Sequence, residues 1–207
     1  MSLTLYGTGP SRSFRCLWAL EESGLSFEYI NLDLASDGKF GAKSDDYLKK
    51  LNIQGKVPTL RHDDFVLTES GAILNYLDQL AGNQFIPQSP KARARYDELA
   101  FFILTELEQP LWTKGKHKFA IPEAYRLNDI FTTAEWEFEK AVSALERLTN
   151  YTPYALGDQF GFADILLAQT LNWADRFKFR VPDPLLAYRD RLYSRAAAQR
   201  ALAHFTS

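Results

Sequence analysis

The chain has 207 residues, 46% of them hydrophobic and 24% charged, with a formal net charge of -2. That length allows one or two domains with a real core, and the composition excludes a disordered or fibrous chain. Lys plus Arg is 24 and Asp plus Glu is 26, which gives no electrostatic case for a nucleic-acid or membrane-surface partner. Residues 3–6 alternate in type and read as a strand. Pro10, Ser11 and Ser13 open a helix, because proline is tolerated in a first helical turn. Phe14, Leu17, Trp18 and Leu20 continue it on helical spacing, and Gly24 suits the left-handed cap that ends it. Residues 27–32 read as a second strand. Strand, helix and strand make a βαβ unit, so these two strands are expected to be parallel.

Residues 35–54 are polar and irregular, with one weak helix at 46–51. Residues 57–60 and 65–67 read as short strands joined by a tight turn at 61–64. A helix over 70–80 follows, capped by Thr68 or Glu69 and closed by Gly82. From 82 to 90 the composition shifts toward Gly, Asn, Gln, Ser and Pro, which marks a linker. Ser89 and Pro90 then start a region that reads entirely as helix, at 90–110, 122–149, 162–176 and a pair within 184–204. The expected organisation is an α/β domain at 1–81, a linker at 82–90 and an all-helical domain at 91–207.

A single cysteine, Cys16, excludes an internal disulfide and a cysteine-rich metal site. His62, His117 and His204 lack metal-ligand spacing, so no metal is expected. The opening residues lack the basic start and long apolar core of a secretion signal, and no apolar run reaches the ~18 residues of a membrane span. A soluble, cytoplasmic protein is expected.

Four stretches narrow the reading further. They are Tyr6-Gly-Thr-Gly-Pro-Ser-Arg-Ser-Phe-Arg-Cys-Leu-Trp-Ala-Leu-Glu-Glu22, Asn52-Ile-Gln-Gly-Lys-Val-Pro-Thr-Leu60, Leu67-Thr-Glu-Ser-Gly-Ala-Ile-Leu-Asn-Tyr-Leu77, and Gly157-Asp-Gln-Phe-Gly-Phe-Ala-Asp-Ile-Leu166 with the closing Ser194-Arg-Ala-Ala-Ala-Gln-Arg-Ala-Leu202. Over essentially the whole chain they resemble the cytosolic glutathione S-transferase family. The resemblance implies a thioredoxin-like α/β N-terminal domain followed by an all-α helical bundle. It also implies glutathione as co-substrate, no prosthetic group, a small hydrophobic electrophile as second substrate, and a homodimer.

The residue roles follow from that resemblance. Ser11 stands where serine-type members carry the hydroxyl that hydrogen-bonds the glutathione sulfur; Ser13, in the same first turn, is its rival, and the sequence leaves the two open. Tyr6 is where other branches place a catalytic tyrosine. Cys16 lies too far into the helix for the thiol-using members and reads as a small buried hydrophobe. Val57-Pro58 resembles the family's cis-proline turn, which leaves the Val57 backbone free to pair with the cysteinyl residue of glutathione like an added strand. Glu69 and Ser70 are expected to hold the γ-glutamyl end, its ammonium and its carboxylate, at a helix N-terminus. Lys43 and Lys56, with Lys39 weaker, are the cations for the glycyl carboxylate, and Arg12 also faces the cleft. Trp112 and Phe119, with Tyr125 and Trp173, are candidate walls of the acceptor pocket. Asp164 reads as a folding element, although the family's Ser/Thr cap is here Gly161; Ile53 and Gln54 stand where the family often has proline. The expected activity is conjugation of glutathione to a hydrophobic electrophile. The alternatives are a glutathione-dependent reductase, dehalogenase or isomerase, and a non-catalytic binding module.

Overall fold

The computed structural model describes residues 2–9 and 11–205; Pro10, expected to help open the first helix, lies outside them. Alternation in the first strand divides the molecule's only sheet among the described residues into two faces. β1 (Leu3–Gly7) runs parallel to β2 (Phe27–Asn31) and antiparallel to β3 (Thr59–His62), which pairs with β4 (Phe65–Thr68), giving the order β2-β1-β3-β4. Leu5 and Leu60 pair across β1 and β3 and are fully buried. On their face lie α1 (Ser13–Ser23) and α3 (Ser70–Leu80), packed on each other. The opposite face carries Tyr6 and Ile30, which cluster with Tyr47 of the short helix α2 (Asp45–Lys50).

The caps follow local chemistry. Gly24 ends α1 at φ 66, a left-handed position that glycine adopts without steric cost. Ser44 caps α2 by accepting from the Tyr47 N–H. The β3–β4 turn is tighter than expected. His62 remains in β3, and its Nδ1 lies 2.7 Å from the Tyr76 hydroxyl.

The chain divides into two compact units, 2–84 with 193–205, and 85–192. The boundary falls inside the expected linker, but the last residues do not belong with the helical domain. α9 (Ala196–Ala203) packs along α1. Arg195 grips Glu22 at 2.6 and 2.9 Å, Arg200 reaches Glu21 at 2.6 Å, and Tyr193 stacks on Phe14. Sequence periodicity identifies a helix and not its partner, so chain order alone assigns 193–205 to the helical domain.

The second unit contains α4 (Pro90–Phe102), a π-helical turn (Ile103–Leu107), α5 (Gln109–Gly115), α6 (Ile130–Leu148), α7 (Phe162–Arg176) and most of α8 (Asp183–Tyr193). The helix expected over 90–110 is thus interrupted, and the one expected from 122 begins at Ile130. α7 is buried nearly all round from Phe162 to Leu171, as an apolar-faced central helix must be. Its cap is glycine for a steric reason: a Cβ at Gly161 would lie 2.6 Å from the Phe85 carbonyl oxygen. Asp164 accepts from the Gly161 and Ala155 N–H groups, both at 2.8 Å, and from the Tyr188 hydroxyl at 2.6 Å. Burial pushes its carboxyl above the ordinary range, against the pull of those donors.

Candidate functional site

The sheet register assembles three of the predicted segments. Tyr6 pairs with Thr59, so the β1–α1 turn runs on beside residues 57–58. Thr59 pairs with Thr68, so the same two residues lie opposite Glu69 and Ser70. The start of α3 is also fixed to α1: buried Arg15 donates from Nη1 to Ser70 Oγ at 3.3 Å, and the Cys16 thiol lies 3.9 Å from the Ser70 carbonyl. Ser11, Val57-Pro58 and Glu69-Ser70 therefore share one edge of the first unit.

At that edge Ser11 and Ser13 differ. Ser11 is half-buried, accepts from the Ser13 N–H at 3.1 Å and donates to the Thr8 carbonyl at 2.7 Å. Its Oγ thus stands at the first turn of α1, among the N–H groups at the positive end of the helix. Ser13 is fully buried. Its Oγ accepts from the Thr8 N–H at 3.3 Å and lies 3.0 Å from Ser11 Oγ, under Gly7, where a Cβ would collide with it. Ser13, the rival of Ser11 in the sequence, is therefore enclosed where Ser11 is partly open. Arg12 is half-buried at the cap of α1.

Tyr6 and Cys16 are both buried. Tyr6 is buried on the α2 face, its ring against Tyr47 and under the Arg61 guanidinium. Cys16 is fully buried, and desolvation drives its thiol far above the ordinary range despite neighbouring Arg15. A thiol held protonated is not a nucleophile.

The Val57–Pro58 peptide is cis. Among the described residues the Val57 N–H and C=O have no hydrogen-bond partner, so both are open to a ligand backbone. Glu69 is exposed and sits at φ 68, ψ 116, a region that a residue with a Cβ rarely occupies. It makes no capping bond, so its carboxylate is not spent on its own helix. Ser70 follows as the first residue of α3, buried, with its hydroxyl already receiving Arg15. Lys43 is exposed and uses one ammonium donor on the Gly55 carbonyl at 2.8 Å; Lys56 is exposed beside Val57. Lys39 lies over the Phe40 ring.

Trp112 and Phe119 belong to the second unit. Trp112 is half-buried in α5. Phe119 is 56% exposed, with its ring edge toward Phe177. Tyr125 is exposed and Trp173 buried against Phe177.

The sequence reading missed Tyr47, Asn52 and Thr59, a buried polar group beneath Val57. The Tyr47 hydroxyl meets the Lys56 carbonyl at 2.6 Å and Thr59 Oγ1 at 2.8 Å, and Asn52 Nδ2 donates to the same two acceptors at 3.0 and 3.3 Å. Asn52 lies inside a quoted motif, whose residue types do not reveal its buried contacts. Tyr47 stands on the weak helix expected at 46–51, where its spacing says nothing of a contact with the Lys56 carbonyl.

Comparison with known proteins finds relatives of both units. The model of the glutathione S-transferase N-terminal domain matches residues 1–79, and that of the C-terminal domain matches 109–196. Glutathione S-transferase 1 of Dianthus caryophyllus is 34% identical over 160 residues, 74% of this chain and 70% of that protein. Maleylacetoacetate isomerase of Rattus norvegicus is 28% identical over 182 residues, 86% of this chain and 81% of that protein. The theta class glutathione S-transferase of Xanthomonas axonopodis pv. citri, solved with glutathione bound, superposes with a TM-score of 0.74 at 27% identity, covering 97% of this chain and 96% of that one.

Proposed function

The chain belongs to the glutathione S-transferase family, and from that premise we propose that it activates the thiol of glutathione with Ser11 and conjugates it to a hydrophobic electrophile. The observation that carries the reading is the register. It sets the unpartnered Val57 backbone between the Ser11 turn and the strained Glu69.

The chemistry follows from the groups at that edge. A thiol of pKa ~8.5 is only a few per cent ionised at pH 7, and lowering it by ~2 units takes about 2.7 kcal/mol of anion stabilisation. Ser11 Oγ turns its proton from the Thr8 carbonyl to the sulfur while it continues to accept from the Ser13 N–H. The helix end adds favourable potential. The thiol proton leaves to solvent, the thiolate attacks the electrophilic carbon, and the S–C bond forms as the leaving group departs. Glu69 pairs with the γ-glutamyl ammonium, and the N-terminal turn of α3 with Ser70 receives its carboxylate. Lys56 and Lys43 pair with the glycyl carboxylate. Trp112 and Phe119 line the acceptor side, two copies form a homodimer, and the protein works in the cytoplasm, where glutathione keeps thiols reduced.

Titration of glutathione with absorbance near 240 nm tests the reading. Bound thiolate is expected at a pH well below ~8.5. Ser11→Ala is expected to raise the bound thiol's pKa by about 1–2 units and to lower kcat/KM by about 10–100-fold. A Ser11→Ala protein with unchanged ionisation and turnover removes the serine assignment. Sedimentation gives the oligomeric state.

The likeness to an isomerase favours one second reading. In it the thiolate adds reversibly to a conjugated cis double bond, the adduct rotates, and elimination returns glutathione. Turnover of such a substrate without consumption of glutathione distinguishes it from conjugation.

A further inference from the structure

The Lys56 carbonyl oxygen has two lone pairs, and both are taken. The Tyr47 hydroxyl donates to it at 2.6 Å and Asn52 Nδ2 at 3.0 Å. The donors are themselves held. Tyr47 is 3% exposed, and Thr59 Oγ1 stands 2.8 Å from its hydroxyl. Asn52 is buried, its Oδ1 accepts from the Gln54 N–H at 3.0 Å, and its own N–H donates to the Tyr47 carbonyl at 2.9 Å. Burial raises the Tyr47 hydroxyl above its ordinary value, so it remains a neutral donor.

The Lys56–Val57 peptide is trans; the cis bonds among the described residues are Val57–Pro58 and Thr152–Pro153. In a trans peptide the C=O and the following N–H share one plane and point in opposite directions. Turning the Lys56 carbonyl inward onto two buried donors therefore turns the Val57 N–H outward. The plane cannot rotate without breaking both bonds.

We propose that Tyr47 and Asn52 are positioning residues that aim the Val57 N–H at the cysteinyl carbonyl of glutathione by clamping the Lys56 carbonyl on the other side of the same peptide. This rests on the reading of Val57 as the strand-like glutathione contact. Neither residue touches the ligand. Their effect is to remove the ordering cost that a loose turn would carry at the moment of binding. That cost is met in binding, so the effect belongs to affinity and not to the bond-making step.

The test compares the intact protein with its Tyr47→Phe and Asn52→Asp variants. Glutathione affinity is measured by calorimetry, and kcat and KM with an acceptor the protein turns over. Phenylalanine retains the ring beside Tyr6 and removes only the hydroxyl; aspartate retains the Gln54 contact and removes the donor. Each variant is expected to raise Kd and KM for glutathione about tenfold, as loss of one well-made hydrogen bond would. At saturating glutathione, kcat stays within about threefold and the acceptor KM is unchanged. Folded variants that bind glutathione like the unmutated protein, or that lose kcat at constant KM, overturn the inference and leave the site reading standing. If Asn52→Asp does not fold, Tyr47→Phe decides alone. If the unmutated protein does not bind glutathione, the site reading fails and this inference with it.

Discussion

Loop 52–57 in the first unit and loop 117–127 in the second are both tied by hydrogen bonds, yet they turn opposite parts of the chain outward. In the first, Tyr47, Asn52 and Thr59 occupy the inward polar groups, and what remains open is the backbone of Val57. In the second, Arg126 donates to the Ile121 and Phe119 carbonyls and His117 Nδ1 accepts from the Leu127 N–H. With that backbone occupied, the side chains of Phe119, Tyr125 and Leu127 stand exposed. A presented backbone suits a ligand that is itself a peptide of fixed structure, because main-chain pairing has one geometry. Presented apolar side chains suit acceptors that share hydrophobicity and little else.

The largest effect that could break this division comes from Asp164. Removing it in Asp164→Ala leaves the buried Ala155 N–H, the partly buried Gly161 N–H and the Tyr188 hydroxyl without their acceptor. Urea denaturation is expected to show a loss of about 3 kcal/mol. Glutathione affinity of the folded fraction is expected not to change. A parallel fall in affinity means the second unit's core helps form the glutathione site, and the division is wrong.

Next in size is Glu69→Gly, which separates backbone strain from ligand contact. Relief of the left-handed φ, less the flexibility glycine adds to the unfolded chain, is expected to stabilise by about 1 kcal/mol. Loss of the carboxylate is expected to weaken glutathione about thirtyfold, near 2 kcal/mol. Opposite signs for stability and affinity identify the strain as serving the ligand; equal signs make Glu69 a residue that supports the fold. Smaller again is Phe119→Ser. As an exposed side chain it is expected to change stability by no more than about 0.5 kcal/mol. The acceptor KM is expected to rise about threefold, with glutathione Kd unchanged.

What was legible in the sequence follows the same division. The β1–α1–β2 order, the hairpin and α7 were readable because alternation, helical spacing and turn residues are local signals. Glu69 and Val57 were readable through their motifs. The burial of Ser13 was not, because it depends on Gly7, six residues away and across a turn, leaving room for its side chain. Tyr47 was not, because its role lies in a contact with a carbonyl nine residues on. The interruption of the long helix at Ile103 left no proline or glycine at that point to announce it.

The smallest expected effect concerns where the first unit ends in the chain. Burial raises the Glu21 carboxyl, but hydrogen bonds and charge from Arg200 and His204 together hold it below its ordinary value. A carboxylate depressed in the folded state contributes stability that is present above its unfolded pKa of roughly 4.3. That contribution is lost as pH falls through the depressed folded value. Because Arg200 is more than half exposed, solvent screening holds the pair to a few tenths of a kcal/mol. Denaturation midpoints measured from pH 7 down to pH 3 are therefore expected to fall slightly less steeply in Glu21→Gln than in the unmutated protein. Because α9 packs on α1, the same acid step should raise protease access at 193–205 before access at α7. Simultaneous release of both segments would return the C-terminal helix to the second unit. The comparison would then lie between consecutive stretches of chain and not between the two units as the contacts define them.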